Sequence, residues 1–127
     1  MRRALKLGLA GLLVASVLGV GTASAKEGDI IKTGNCSATS TWKLKLSPEN
    51  GMIEVQFEVD QNVVGDTWRV VFKDNGVRVF RGTFVTQAPS GSFEARKVIA
   101  DQPGPDNIVA KARNLRTDEV CRGSATF

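Results

Sequence analysis

Apolar and polar residues alternate with a period of two in several short runs, and this pattern constrains the fold more than any other feature of the chain. One such run places Ile53, Val55, Phe57 and Val59 between polar neighbours. A period of two puts the apolar side chains on one face of an extended strand, so each run predicts a half-buried β-strand. The predicted strands span residues 30–37, 41–46, 53–59, 68–73, 77–84, 93–99, 107–115 and 120–127.

Turn-forming residues separate these runs at intervals of about ten residues, a spacing typical of β-sandwiches. No run shows the period of about 3.6 residues that an amphipathic helix requires. We therefore predict an all-β fold, a single antiparallel β-sandwich of about seven to eight strands. A small β-barrel is the alternative, because it is built from strands of the same length and spacing.

The clearest hairpin signal is Asn75-Gly76, which follows one predicted strand and precedes the next. A two-residue type I′ turn needs positive φ at both central residues, and this pair adopts it readily. Counting outward from the turn places Lys73 directly opposite Arg78. These two like charges disfavour strand pairing unless an anion or a neighbouring acid offsets them.

A second turn is predicted at residues 47–51, where a proline and a glycine lie between two alternating runs. Counting outward from this turn places Lys45 opposite Glu54. The same register sets Lys43 diagonal to Glu54 and Glu58. The charges of this predicted hairpin are therefore complementary.

The first 25 residues have the three-part layout of a secretory signal peptide. Three basic residues open the segment, an apolar run extends from Leu7 to Val20, and small residues end it at Ala25. We expect cleavage before Lys26, which leaves a mature domain of residues 26–127. An uncleaved anchor is the weaker alternative, because the apolar run is shorter than the roughly 20 residues that span a bilayer. The mature protein is therefore expected to be secreted or held in the cell envelope, without a membrane span.

Removal of this segment changes the charge balance. It takes three of the 17 Lys and Arg residues and none of the 13 acids, which leaves 14 basic residues and a net charge of +1. The basic excess of the full chain thus belongs mostly to the export signal. We expect no nucleic-acid partner, because the mature chain lacks the strong net positive charge typical of such proteins.

Two cysteines, Cys36 and Cys121, lie near the two ends of the mature chain. Two cysteines in an exported protein most often form one disulfide, because the compartment is oxidising. The predicted bond closes an 85-residue loop and links the first strand to the last. The chain has no Cys-x-x-Cys motif that would indicate a redox site.

The chain contains no histidine, which excludes Ser-His and Cys-His nucleophile pairs and imidazole metal sites. Glu54 and Glu58 are four residues apart on one strand, roughly 13 Å, which does not suit a glycosidase pair. Residues 60–66 are rich in oxygen ligands but lack the spacing of a calcium loop, so a solvated turn is the preferred interpretation. We therefore expect no enzyme activity, no metal and no cofactor.

The chain resembles immunoglobulin-like and fibronectin type III sandwiches. Trp68 stands where the third main strand of such folds has a core tryptophan, and Ile108-x-Ala110-x-Ala112-x-Asn114 is similar to the sixth strand of type III modules. The family's tyrosine would fall at Asp106, and the disulfide joins terminal strands instead of the sheet centres. The whole chain also looks like small exported bacterial proteins, a resemblance that implies no activity.

Immunoglobulin-like strand order would bring a group of basic side chains to the outer face of one sheet, interleaved with apolar Val71, Phe80 and Val109. The basic residues are Arg69, Lys73, Arg78, Lys111 and Arg113. Such a face would suit an anionic cell-envelope polymer or an acidic protein. The plainer alternative is that these side chains keep the sheet soluble and block aggregation.

A second functional hypothesis is an inhibitor or interaction domain that uses its loop tips, residues 62–65 and 102–106. Val63 and Val64 lie at the first of these tips and could contact a partner, although single exposed apolar residues are ordinary. In either case we expect a monomeric binding or structural module.

Overall fold

The structure is a computed structural model that describes residues 28–127. The signal peptide predicted at residues 1–25, and its cleavage before Lys26, lie outside the described residues. Eight β-strands account for most of the described chain. They are β1 (Ile30–Asn35), β2 (Thr41–Glu49), β3 (Met52–Asp60), β4 (Thr67–Asp74), β5 (Val77–Val85), β6 (Ser92–Ala100), β7 (Asn107–Asn114) and β8 (Val120–Thr126). Within residues 28–127 there is no helix with the length and hydropathy needed to cross a membrane.

The strands form two four-stranded sheets, with the orders β1-β2-β3-β6 and β5-β4-β7-β8. Every hydrogen-bonded neighbour is antiparallel. No strand of residues 28–127 pairs across from one sheet to the other, so the described fold is a sandwich and not a closed barrel. The predicted all-β fold class is confirmed.

The core lies between the sheets, where the alternating apolar residues of both meet. The largest fully buried apolar side chains are Trp68, Phe57, Phe72, Leu44, Leu46, Ile53 and Ile108. Burying a side chain of this kind contributes about 1.5–3 kcal/mol, so the period-two pattern accounts for most of the driving force. The polar residues between them face outward.

Trp42 closes one side of the core by fitting between two glycines. A Cβ added to Gly34 of β1 would lie 2.6 Å from the Trp42 ring, and a Cβ added to Gly123 of β8 would also lie 2.6 Å from it. Neither position therefore has room for a side chain. The two glycines let the indole pack where the edges of the two sheets meet.

The predicted disulfide is confirmed: Cys36 bonds to Cys121, with their Cα atoms 4.3 Å apart. Cys36 directly follows β1 in the first sheet and Cys121 lies in β8 of the second. The bond therefore joins the two sheets at the side that Trp42 fills. Closing a loop of this length contributes about 4–5 kcal/mol in the chain-entropy model.

The hairpin between β2 and β3 differs from its prediction. Its turn is Asn50-Gly51 alone, with φ values of 50° and 80°, and β2 continues through Pro48 to Glu49. Proline is tolerated there because its missing N–H lies at a position that does not bond to β3 and beyond the end of β1. The predicted register was wrong as a result.

In the observed register Lys45 lies opposite Gln56 and not opposite Glu54. Lys43 lies directly opposite Glu58, where the prediction had set it diagonal. The charges remain complementary, but through a different pair of residues.

The sandwich has two ends with different loops. The disulfide end is defined by the loops at residues 36–40, 61–66, 86–91 and 115–119, and the hairpin end by the turns at 50–51 and 75–76 and the loop at 101–106. The two loop tips of the interaction hypothesis, residues 62–65 and 102–106, therefore lie at opposite ends. They do not form one surface.

Candidate functional site: a basic sheet face

The outer face of the β5-β4-β7-β8 sheet carries a concentrated group of basic side chains. Alternation from the buried core positions and the strand registers assign seven Lys and Arg residues to it. They are Arg69, Lys73, Arg78, Arg81, Lys111, Arg113 and Arg122, and together they define the basic face. Within residues 28–127, no carboxylate occupies an outward strand position on this face. Seven of the 14 basic residues after residue 25 thus share one surface.

The registers set these cations against each other in three directly opposite pairs. Lys73 faces Arg78, Arg69 faces Arg113, and Lys111 faces Arg122. Like charges directly opposite on neighbouring strands destabilise a sheet. Three such pairs on one face therefore oppose the pairing of these strands.

The Asn75-Gly76 turn and the Lys73–Arg78 pair are as predicted. Asn75 and Gly76 have φ values of 51° and 84°. The predicted position of Phe80 was wrong. A β-bulge between Phe72 and Lys73 leaves Val79 as an extra residue on β5 and reverses the alternation beyond it.

Because of this bulge Phe80 points inward and Arg81 points outward. Phe80 lies opposite buried Phe72, with ring centroids 5.1 Å apart, and packs against the core. Arg81 lies opposite Val71 on the basic face. Simple counting along β5 could not find Arg81, since the bulge has no mark of its own in the sequence.

A shallow groove crosses the basic face. It has a volume of about 520 Å³ and is lined by Val71, Lys73, Gly76, Val109, Lys111 and Arg122. Val71 and Val109 are half-buried and form an apolar floor, while the three cations stand around it. The groove therefore combines an apolar surface with several exposed positive charges.

One cation of the face has an acidic partner. Arg113 Nη1 donates to Asp118 Oδ1 at 2.7 Å, and both groups are substantially exposed. Exposed pairs of this kind contribute roughly 0–1 kcal/mol. Asp118 lies in the β7–β8 loop, so it neutralises the rim of the face and not its centre.

The opposite outer face has a different charge pattern. Arg96 donates to Glu54 across β6 and β3, and Lys43 lies opposite Glu58. Glu94 lies opposite Glu58 on the other side. This face therefore carries both signs, which is typical of a solvated sheet surface, although Glu58 and Glu94 form one like-charge pair.

A buried polar network at the disulfide end was not foreseen from the sequence. Trp68 Nε1 donates to Gln61 Oε1 at 3.0 Å, and Gln61 Nε2 donates to Asp66 Oδ2 at 2.7 Å. Arg116 donates to both oxygens of Asp66, at 2.9 and 2.7 Å, and Asn114 donates at 3.0 Å. These hydrogen bonds, that of Arg116 above all, hold the pKa of Asp66 well below its usual range.

This network shows what the Asp66 carboxylate does. Asp66 could have been a cation ligand in the calcium alternative, but protein donors already occupy its carboxylate. Glu119 is satisfied in a similar way, since it accepts from the Ser40 N–H at 2.8 Å and from the Ser40 hydroxyl at 2.8 Å. Both acids anchor loops to the sandwich.

The hairpin end contains two buried carboxylates, Asp74 and Asp106, which are 4% and 0% exposed. Within residues 28–127, both oxygens of Asp74 and Oδ1 of Asp106 have no hydrogen-bond donor. Their carboxyl groups contact each other, and Asp101 contacts Asp106. In residues 28–127 no three acids or cysteines are arranged as a metal site.

No protein-family model matches the chain, and no curated protein matches it in sequence. The function is therefore inferred from the geometry and the charge of the described residues.

Proposed function

We propose that the chain is an exported, non-catalytic binding domain of the immunoglobulin-like type, whose basic face holds an anionic polymer of the cell envelope. The three like-charge pairs of the face are the observation that carries this proposal. An unoccupied face of this kind lowers the stability of its own sheet. A polyanion lying on it supplies the missing negative charge and removes the repulsion.

The immunoglobulin-like assignment is supported by the strand order. β2-β3-β6 in one sheet and β4-β7-β8 in the other match the two groups of strands in such modules, with β5 beside β4. β1 is then an added edge strand. Export is supported by the disulfide, because such bonds persist in oxidising compartments.

The spacing of the cations supports an extended polymer over a compact ligand. The backbone positions that carry these cations are about 4.8 Å apart on neighbouring strands and about 6.7 Å apart where they are two residues apart on one strand. The charges therefore form a lattice that matches repeated anionic groups. A single small anion would use only a part of it.

An acidic protein is the less favoured partner. Protein interfaces depend on a few large anchors, often aromatic, that fill pockets on the other side. No aromatic side chain occupies an outward strand position on the described basic face, because the bulge turns Phe80 into the core. Electrostatic contacts with a flexible chain fit such a surface better.

The experiment compares two variants with the same net charge. Arg69→Gln, Lys73→Gln and Arg78→Gln together remove three charges from the basic face. We expect roughly tenfold weaker binding to cell-envelope polymer, since three exposed charge contacts at about 0.5 kcal/mol each amount to one order of magnitude. The matched control replaces Lys43, Lys45 and Lys97 of the other sheet by Gln and should bind like the wild type.

Thermal unfolding checks both variants for folding. The basic-face variant should unfold at the wild-type temperature or above it, because it loses two like-charge pairs. Retention of the wild-type protein should fall as ionic strength rises. Equal binding by the wild type and both variants would contradict the proposal, and capture of one acidic protein in place of polymer would support the other partner class.

A further inference from the structure

The two ends of the sandwich treat buried carboxylates differently. At the disulfide end Asp66 and Glu119 each receive several protein donors. At the hairpin end Asp74 and Asp106 contact each other, and three of their four oxygens have no donor among residues 28–127. The fourth, Asp106 Oδ2, accepts the Gln102 N–H at 3.1 Å.

Among residues 28–127, no Lys or Arg contributes to the pKa shifts of this pair. Asp74 is the last residue of β4, and its register partners are Val77 of β5 and Ile108 of β7. The charged groups that act on it are the carboxylates of Asp106 and Asp101 from the β6–β7 loop. Asp106 is in turn affected by Asp74 and Asp101.

Two carboxylates in contact inside a protein cannot both be ionised at low cost. Burial above all, then the hydrogen bond to Asp106 and the charges of Asp106 and Asp101, together raise the pKa of Asp74 to about 6. Burial opposes ionisation of Asp106, but hydrogen bonds from Asp74, the Gln102 N–H and Asp101 lower its pKa. A proton on Asp74 that is donated to Asp106 satisfies both observations.

The pair lies beneath the part of the basic face that the β4–β5 hairpin carries. Asn75 fastens this hairpin to the neighbouring loop: its N–H donates to the Asn107 carbonyl at 3.0 Å and its Nδ2 to the Pro105 carbonyl at 3.2 Å. The Asn107 N–H donates back to Asn75 Oδ1 at 2.9 Å. Asp74 and Asp106 are the residues next to these contacts.

We propose that Asp74 and Asp106 share one proton, and that its loss weakens the binding of an anionic polymer to the basic face. Loss of the proton sets two negative charges against each other beneath the hairpin that carries Lys73 and Arg78. It also adds one negative charge near those cations. Both effects act against a polyanion, so binding is stronger in weakly acidic solution. The binding half of this proposal rests on the proposed function, whereas the shared proton does not.

The proton is tested directly by a carbon-13 NMR titration of the Asp74 carboxyl group. We expect a midpoint near 6. The variant Asp74→Asn keeps the shape of the side chain. Its amide can donate a hydrogen bond to Asp106 and has no titrating proton. Between pH 4 and 7 the wild type should lose several degrees of melting temperature relative to this variant. Asp60→Asn, which changes an exposed acid, is the matched control and should follow the wild type.

The binding part of the proposal is tested with dextran sulfate as the anionic polymer. Its sulfate groups remain ionised between pH 5 and pH 7.5, and the chain has no histidine. We expect wild-type affinity to fall about twofold from pH 5 to pH 7.5, because one added negative charge offsets about as much binding as one exposed charge contact contributes. The Asp74→Asn variant should bind equally at both values.

The outcomes separate the two proposals. An Asp74 midpoint near 4, or identical pH profiles for the wild type and Asp74→Asn, overturns the shared proton. Wild-type binding that is equal at both pH values overturns the regulation. A rise in melting temperature with millimolar Ca²⁺ at pH 7.5 in the wild type alone shows that a metal ion replaces the proton. Absence of binding at both pH values, with the midpoint near 6, contradicts the proposed function and leaves the acid pair standing.

Discussion

At the scale of single residues, small side chains decide where large ones can pack. The Trp42 indole fits the core because Gly34 and Gly123 have no side chains, with hypothetical Cβ atoms at 2.6 Å from the ring in both cases. The alternating pattern of the sequence predicts that Trp42 points inward. It does not reveal the two glycines that make room for it, because they lie on other strands.

The variant Gly123→Ala tests this packing. The added methyl group meets the Trp42 ring, and we expect a loss of about 1–3 kcal/mol in the free energy of unfolding, the usual cost of overpacking a core. Chemical denaturation measures the loss. The control Ser124→Ala changes an exposed neighbour on the same strand and should have little effect. Equal stability of both variants would show that the indole is free to move aside.

Asp66 provides a residue-scale prediction with a definite pH dependence. Its pKa is lowered in the folded state, so its contribution to stability is present above the unfolded value of about 4 and is lost as pH falls below it. Asp66→Asn removes the titrating group. We expect the melting temperature of the wild type to fall more steeply than that of the variant below pH 4. Parallel curves would indicate that the Arg116 pair does not act on stability.

At the scale of elements, the sequence predicted all eight strands, and their ends agree to within about three residues. Period-two runs and Asn-Gly turns act locally, so they can be recognised without knowing the fold. The errors in register and in side-chain direction arose where the structure depends on a neighbouring strand, which a local pattern does not include. Pro48 was assigned to a turn although it lies in β2, and the bulge at Val79 reversed the face of Phe80.

At the scale of elements, each edge strand of the first sheet carries a lysine at an inward register position. Lys32 on β1 lies opposite buried Leu44, and Lys97 on β6 lies opposite buried Val55, so both occupy inward register positions on edge strands. Both side chains remain exposed. Inward-pointing charges on edge strands are a known way to prevent edge-to-edge association.

We expect the double variant Lys32→Leu, Lys97→Val to associate at concentrations where the wild type is monomeric. The apolar replacements make both edges uniform and remove the charge that an added strand would have to bury. Sedimentation or light scattering measures the association. As a control, Lys43→Leu places an apolar residue outward on the central strand β2 and should not promote pairing at an edge. A double variant that stays monomeric would assign another role to these lysines.

At the scale of the whole molecule, charge is separated between surfaces in a way that net charge conceals. Removal of the predicted signal peptide leaves a net charge of +1, which suggests an ordinary surface. The described fold nevertheless collects seven cations on one sheet face. Five of them were predicted from strand order, while Arg81 required the bulge and Arg122 required the register of β8. The acid pair could not be predicted, since Asp74 of β4 and Asp106 of the β6–β7 loop meet only through the packing of the folded sandwich.

The most direct test of the basic face is a nitrogen-15 NMR titration of residues 26–127 with dextran sulfate at low ionic strength. We expect the largest shift changes on β4, β5, β7 and β8 near Arg69, Lys73 and Lys111, and their reversal when salt is added. Changes confined to the β1-β2-β3-β6 sheet or to the loops of the disulfide end, or no changes at all, would contradict the account.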